Sequence, residues 1–586
     1  MRKITSLLLA LTLILGSAFM LSSCGAAKDG GAQIKVYLGE SVYDFDPTDY
    51  YVDSNAELVM SLLYDPLFKV SEDGKLKCDG AAESYEVDET ERKIVIDLKE
   101  SYWSDGVRVR ADDFIYAWRN VLLNPNDANP AASLLYDIEN ALRIKNGETS
   151  AFDFGAVSSG TYQITIKYRS GADYKQLLKN LSCVACSPIR QDIATSLTSG
   201  YWSKLVNSVV TNGPFKVERF APDKSFTLAR NEGYHQELNL KNPTKIVNPG
   251  KLIGVSKASY KDIEEKVVFY MTDAPLSERA EYKKDASVID DLSTYTYVFN
   301  MDNPLFQIPE VRKALSISID RNAIISAITF GKAATGFLPD SVLDPATGKS
   351  FNKKQDALIS TSAKLQEAQT LLAGVNFGEA NKSFTLTVNN DEESIAIANI
   401  VKATWDSLGF SVTINPVGER VVSVGSGATS NKVSDSEIQV LVNNATRTDF
   451  YENEKSGRNF DVIAVDWQMY STDPFVALSA FADKFDGSGV NFRDSSVVCG
   501  NIAGYNDEAY NSLISKAYIQ FDAAMRSETL HDAEEKLVES ACIVPLVFNQ
   551  TFSFEHKHIS NTEFDGFGNL ILTDMKQKKY RKYLGE

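Results

Sequence analysis

Strand-like and helix-like segments alternate along most of the 586 residues, and this alternation limits the available folds more than any other feature. Ile34-Lys-Val-Tyr-Leu38 reads as a strand, and Asn55 to Leu63 as a helix with Leu58, Val59, Leu62 and Leu63 on one face. Arg92 to Leu98 alternates as a half-buried strand does, and Asp112 to Leu123 puts Phe114, Ile115, Trp118, Val121 and Leu122 on a helical stripe. Phe215 to Phe220, the turn Ala221-Pro222-Asp223 and Ser225 to Ala229 predict a hairpin. The second half repeats this grammar. A strand at Tyr295 to Phe299 precedes a helix starting near Pro309, with Val311, Leu315 and Ile319, and a second helix capped by Asp320 and stopped by Gly331. An amphipathic helix from Ser394 to Leu408, stopped by Gly409, leads to a strand at Ser411 to Ile414. The pattern argues for α/β lobes rather than a helical bundle or a β-sandwich.

The chain opens with Arg2 and Lys3 followed by an apolar run from Leu7 to Leu21, too short and wrongly flanked for a membrane span, as in a secretory signal. Leu21-Ser22-Ser23-Cys24-Gly25 resembles the bacterial lipobox, which implies cleavage before Cys24 and a diacylglycerol on its thiol; the alternative is an ordinary signal with an incidental cysteine. About two acyl chains anchor a protein without a transmembrane helix. Residues 1–23 are thus expected to be a lipoprotein signal peptide and residues 24–33 a flexible tether to the outer face of the cell membrane. No later segment is long and apolar enough to span a bilayer. Removing the signal lowers Lys+Arg from 60 to 58 against 78 acids, a net charge of −20, which argues against nucleic acid as a partner. Cys183-Val-Ala-Cys186 has the spacing of a redox or zinc half-site, but the histidines are not placed to complete one; small buried thiols or one local disulfide are expected, and no metal or cofactor.

Residues 464–475, A-V-D-W-Q-M-Y-S-T-D-P-F, set Trp467 between Asp466 and Asp473, with Tyr470 spaced between them. The stretch admits three readings: a carboxylate pair, a platform for a ligand, or a strand running into a turn. A glycosidase needs two acids facing each other across a sugar, and seven residues over a strand and turn do not by themselves supply that geometry. No Gly-x-Ser-x-Gly elbow, His-Glu-x-x-His helix or Walker loop occurs, so an enzyme is not expected.

Taken in order, several motifs resemble the extracellular solute-binding proteins of peptide-importing ABC transporters. They are Leu63-Tyr-Asp-Pro-Leu-Phe68; Tyr102-Trp-Ser-Asp-Gly106 with Ala111-Asp-Asp-Phe114; Asn212-Gly-Pro-Phe215 with Asn231-Glu-Gly-Tyr234; Val311-Arg-Lys-Ala-Leu315 with Ile319-Asp-Arg321; Leu408-Gly-Phe410; Gly504-Tyr505; and Glu535 to Val547. The resemblance implies an α/β, two-lobed fold of the periplasmic-binding-protein type II kind, with hinge strands between the lobes and an extra subdomain in the N-terminal lobe. It implies an N-terminal lobe at residues 34–296, including the subdomain at about 70–190, a C-terminal lobe at 297–543, and a return to the first lobe at 544–586. Tyr295 to Asn300 would carry the chain across and Ile543 to Asn549 would bring it back. The cleft would close on its ligand by hinge motion and present the closed form to a membrane permease.

Family members hold peptides largely by pairing them with strand backbone from both lobes. The matching segments here are Asp466-Trp467-Gln468 and Tyr51-Val52-Asp53. The family places an aspartate three residues after this tryptophan to meet the ligand's amino terminus; this chain has Tyr470 there, leaving Asp466 and Asp473 as candidate substitutes. For the carboxylate end, some members use an arginine about a dozen residues before the tryptophan, a register that gives Lys455, with Arg458 nearby. The expected partners are a peptide and the permease of an ABC importer, with the chain itself a monomer. A non-peptide solute, such as an oligosaccharide or a metal chelate, and a peptide-sensing surface receptor are the alternatives. A Gly/Ser/Asn-rich loop from Val421 to Asn443 is expected at the cleft mouth.

Overall fold

The structure is a computed structural model that describes residues 31–39, 45–48, 56–123, 130–196, 202–204, 208–220, 226–236, 249–255, 258–354, 356–378, 380–417, 458–486 and 501–584. The first half supplies β1 (Ala32–Tyr37), α1 (Ala56–Leu63), β2 (Ala82–Asp88), β3 (Lys93–Leu98), α2 (Ala111–Leu123), β4 (Ala156–Gly160), β5 (Gln163–Lys167) and α3 (Tyr174–Asn180). It continues through β6 (Phe215–Phe220), β7 (Phe226–Arg230), β8 (Pro249–Gly254) and β9 (Tyr270–Met271). The second half holds β10 (Ser287–Phe299), α4 (Pro309–Ile317), α5 (Arg321–Ile328), β11 (Ser383–Asn389), α6 (Glu392–Ser407) and β12 (Ser411–Val417). After these come β13 (Val462–Gln468), α7 (Pro474–Ser479), α8 (Glu508–Ile519), α9 (Ala523–Ser540) and β14 (Ile543–Glu555).

One sheet runs through both lobes in the order β12-β11-β13-β10-β14-β9-β1-β8-β7-β6. Strands β6–β9 and β1 form the first lobe, β11–β13 the second, and the long antiparallel pair β10 and β14 crosses between them. A separate antiparallel sheet, β2-β3-β5-β4, makes the extra subdomain with α2 and α3. The expected α/β two-lobed architecture is therefore present. Both crossing strands are thirteen residues long, well beyond the expected Tyr295–Asn300 and Ile543–Asn549.

Second-lobe packing follows from pattern and caps. β11 and β12 pair in parallel, which requires a crossover, and α6 supplies it. Asp391 caps α6 by accepting the Ser394 N–H at 2.7 Å, and Gly409 just beyond it has φ +90°, the stop expected from the sequence. The buried face of α6 centres on Trp405, whose ring meets Phe384 at 5.6 Å and Tyr297 at 6.1 Å and whose N–H donates to Leu315 O at 3.0 Å. Burying a side chain of this size contributes roughly 5 kcal/mol.

Gly331 does not stop α5. The helix ends at Ile328, with Thr329 in a positive-φ conformation as its C-cap. Gly331 is needed for a close approach instead: a Cβ there would lie 2.6 Å from Val547 on β14, and its N–H donates to Gln550 at 3.0 Å. The turn at Ala221–Asp223 and the loop at Val421–Asn443 lie outside the described residues. The first-lobe core is continuous with Met469 to Phe485 of the second lobe, so the lobes are in contact.

Candidate functional site

The crossing pair is irregular where the lobes meet. β10 and β14 align Asp290 with Gln550 and then Thr294 with Phe548, so three residues of β10 face a single residue of β14. A bulge re-aims side chains, and this one gathers Asp291 and Ser293 of β10 with Asn549 of β14. Asn549 Nδ2 donates to Ser293 Oγ at 2.8 Å and to the Asp466 carboxylate, and Thr551 donates to Asp291 at 3.3 Å.

β13 runs beside this bulge. It pairs with β10 over its whole length, from Val462 opposite Phe299 to Gln468 opposite Ser293. On its other side β11 pairs only with Val462 and Ile463, so from Val465 to Gln468 the outer edge has no strand neighbour among the described residues. An open edge of this kind can take the main chain of an extended ligand. Trp467 stands on this stretch half-buried, stacked on Phe481 at 4.7 Å and edge-on to Phe337 at 5.7 Å, so packing fixes the ring while part of it stays accessible. Gln468 donates across the lobes to the Glu57 carboxylate on α1.

Four carboxylates from distant parts of the chain converge here: Glu57 of α1, Asp291 of β10, Asp466 of β13 and Asp565 near the C-terminus. Burial, with Asp291 and Asp565 adding repulsion, pushes Glu57 up to about 8, against hydrogen bonds from Asn569 and Gln468 that favour its ionised form. Burial and Asp291 push Asp466 up to about 7. Asp291 and Asp565 are raised by burial as well. None of the four is ion-paired with a cation among the described residues. A cationic group brought to this junction would restore their ionised forms.

Asp466, Trp467 and Gln468 are thus brought together with elements of both lobes. Among the described residues, Asp473, Tyr470 and Arg458 are not. Asp473 is buried; it caps α7 by accepting the Phe475 N–H at 3.1 Å and pairs with Arg526 at 2.9 Å, so its carboxylate is committed to the second-lobe interior. Tyr470 has φ +60° in the turn that leads there and is buried in the core, so it presents no ring to the open edge. Arg458 lies at the far end of β13. The strand alone puts about 17 Å between Val462 and Trp467, and the guanidinium of Arg458 meets Asp302 at 3.3 Å in a polar recess with Asn300, Thr385 and Asp461. Tyr51, Asp53, Lys455 and Cys24 lie outside the described residues. Cys183 and Cys186 are both buried, and burial, with Cys183 adding to it, pushes the Cys186 thiol well up. Sequence reasoning missed Glu57, Asp291, Ser293, Asn549 and Asp565. Only Asn549 carried a signal, as the last residue of the expected returning strand.

A two-lobed α/β chain with an open strand edge and a carboxylate cluster at the lobe junction has the architecture of a solute-binding protein. The match to the model of the bacterial extracellular solute-binding proteins, family 5, over residues 79–489, shows that the chain belongs to that family. It is 23% identical to the dipeptide-binding protein DppE of Bacillus subtilis (strain 168) over 504 residues, 83% of this chain and 80% of that one. It is 25% identical to the periplasmic oligopeptide-binding protein OppA of Haemophilus influenzae over 538 residues, 90% and 89% of the two chains. Among solved structures, the peptide-binding pheromone receptor PrgZ superposes with a TM-score of 0.76 at 20% identity, over 94% of this chain and all of the other.

Proposed function

We propose that this protein is the lipid-anchored binding subunit of an ABC importer, which captures peptides between its lobes and hands them to a membrane permease. The observation that carries this reading is the open outer edge of β13 at Val465–Gln468, beside Trp467 and within the acidic lobe junction. Main-chain pairing along that edge accepts any peptide sequence, whereas a compact solute makes no use of it. Asp466, with Asp291 beside it, offsets the ligand's ammonium in place of the aspartate that Tyr470 replaces. Tyr51-Val52-Asp53 supplies the pairing strand of the first lobe, and Lys455 meets the carboxylate end. The lobes divide at residues 34–296, 297–543 and 544–586, with Cys24 as the lipid-bearing residue. The names of DppE and OppA support a peptide as cargo.

Native mass spectrometry of the protein as purified, followed by calorimetric titration with peptides and with oligosaccharides of similar mass, tests the reading. Retained or titrated peptide is expected. Saturable binding of an oligosaccharide with no peptide binding, or turnover of either, overturns it.

A further inference from the structure

The lobes meet not only at the crossing strands but also where the extra subdomain reaches the second lobe. Arg169, just after β5, lays its guanidinium 3.7 Å over the ring of Tyr518 on α8 while pairing with Asp137 at 2.5 Å. The Tyr518 hydroxyl donates to Tyr136 O at 2.8 Å, and the Tyr136 hydroxyl donates back to Phe485 O at 3.3 Å. Ser471, in the turn after β13, donates to Asn180 of α3 at 2.7 Å. Gly171 has φ +87°, and a Cβ there would sit 3.1 Å from the ring of Phe521, which lies against it from the loop between α8 and α9.

Tyr136, Asn180, Ser471 and Phe485 are buried within this seam, and Phe521 sits at its solvent-facing rim. Phe521 is 76% exposed although it is a large apolar side chain, and what it touches is backbone of the other lobe. On the second-lobe side α8 packs on α9, and Arg526 at the start of α9 is tied to Asp473, with Asp137 and Asp173 of the subdomain adding attraction across the seam.

We propose that the extra subdomain acts as a latch across the cleft, with Arg169 and Gly171 gripping Tyr518 and Phe521, so that it adds stability to the closed arrangement whichever solute is bound. A planar guanidinium stacked on an aromatic ring and held by a carboxylate is suited to this, because the contact is strong when formed and both groups are readily hydrated when it opens. Hinge closure then depends on a contact that the ligand never touches.

The test uses the ligand-free mature chain and small-angle X-ray scattering, fitted as a mixture of closed and hinge-opened forms. Arg169→Gln and Phe521→Ser remove the two halves of the grip. Phe152→Ser, at a 91% exposed phenylalanine of the same subdomain, is the control for surface chemistry. Each latch variant is expected to lower the closed-to-open ratio by about tenfold, with the control matching wild type. Phe521→Ser alters an exposed residue and leaves the fold in place, so its result stands even if Arg169→Gln proves unstable. Identical scattering from wild type and Phe521→Ser, whether all open or all closed, overturns the latch, as does an equal shift in Phe152→Ser.

Discussion

Replacing Asp466 with asparagine should make the ligand-free protein more stable at alkaline pH, the opposite of what removing a hydrogen-bonded charge usually does. The carboxyl is pushed up from 3.8 to about 7, by burial first and by Asp291 second. A raised acid destabilises the fold once the unfolded chain ionises: the cost begins near the unfolded value, grows through the window up to the folded value and is then constant. At about 1.36 kcal/mol per unit, a window of about three units sets a ceiling of about 4 kcal/mol. Asp466 is only half-buried, so solvent screening lowers this to about 2 kcal/mol. Asparagine keeps an oxygen for the Asn549 amide and carries no charge. Urea unfolding of stripped protein, followed by tryptophan fluorescence, should show Asp466→Asn equal to wild type at pH 4 and about 2 kcal/mol more stable at pH 8. A variant less stable at pH 8, or a difference that does not change with pH, refutes the reasoning and places Asp466 in an ordinary structural network.

With Asp466 at about 7, calorimetry should find trialanine binding tighter as pH rises from about 5 to 7, before the peptide's own ammonium titrates at about 8, while N-acetyl-trialanine shows no such gain. Asp473→Ala removes a helix cap and leaves Arg526 buried without its partner; it should cost about 3–5 kcal/mol in urea unfolding without changing the affinity of the folded fraction. Tyr470→Asp exchanges a buried ring for a carboxylate that faces the core; it should lower stability by about 3–5 kcal/mol in urea unfolding and leave the preference between free-amine and acetylated peptide unchanged by titration. Trp405→Ala should lower stability by about 3–5 kcal/mol through the cavity it leaves in the second-lobe core, measured by the same denaturation.

Much of the fold was legible because it depends on local periodicity. The stripe of α2, the alternation of β3, the Asp320 cap of α5 and the Gly409 stop of α6 were each readable from a short window, and each element formed within two residues of its expected start. Gly331 shows where such reading fails. A glycine after an apolar helix looks like a stop signal, yet its constraint comes from Val547, more than two hundred residues away. The same limit governs the site. Asp466 and Asp473 look like a pair in the sequence, but the positive φ of Tyr470 turns the chain between them, sending one to the lobe junction and the other into the interior.

By itself the sequence determined the α/β class, the order of most elements and Trp467 with its neighbours as the place to look, since hydrophobic period, capping and motif order are properties of neighbouring residues. Only the tertiary structure decided which charges share that place. Glu57, Asp291, Asp466 and Asp565 are spread over some five hundred residues and meet because two long crossing strands, a bulge and the returning C-terminal segment fold onto one point. Their raised proton affinities come from that convergence and from the water it excludes, and neither is a property of any stretch of chain read alone.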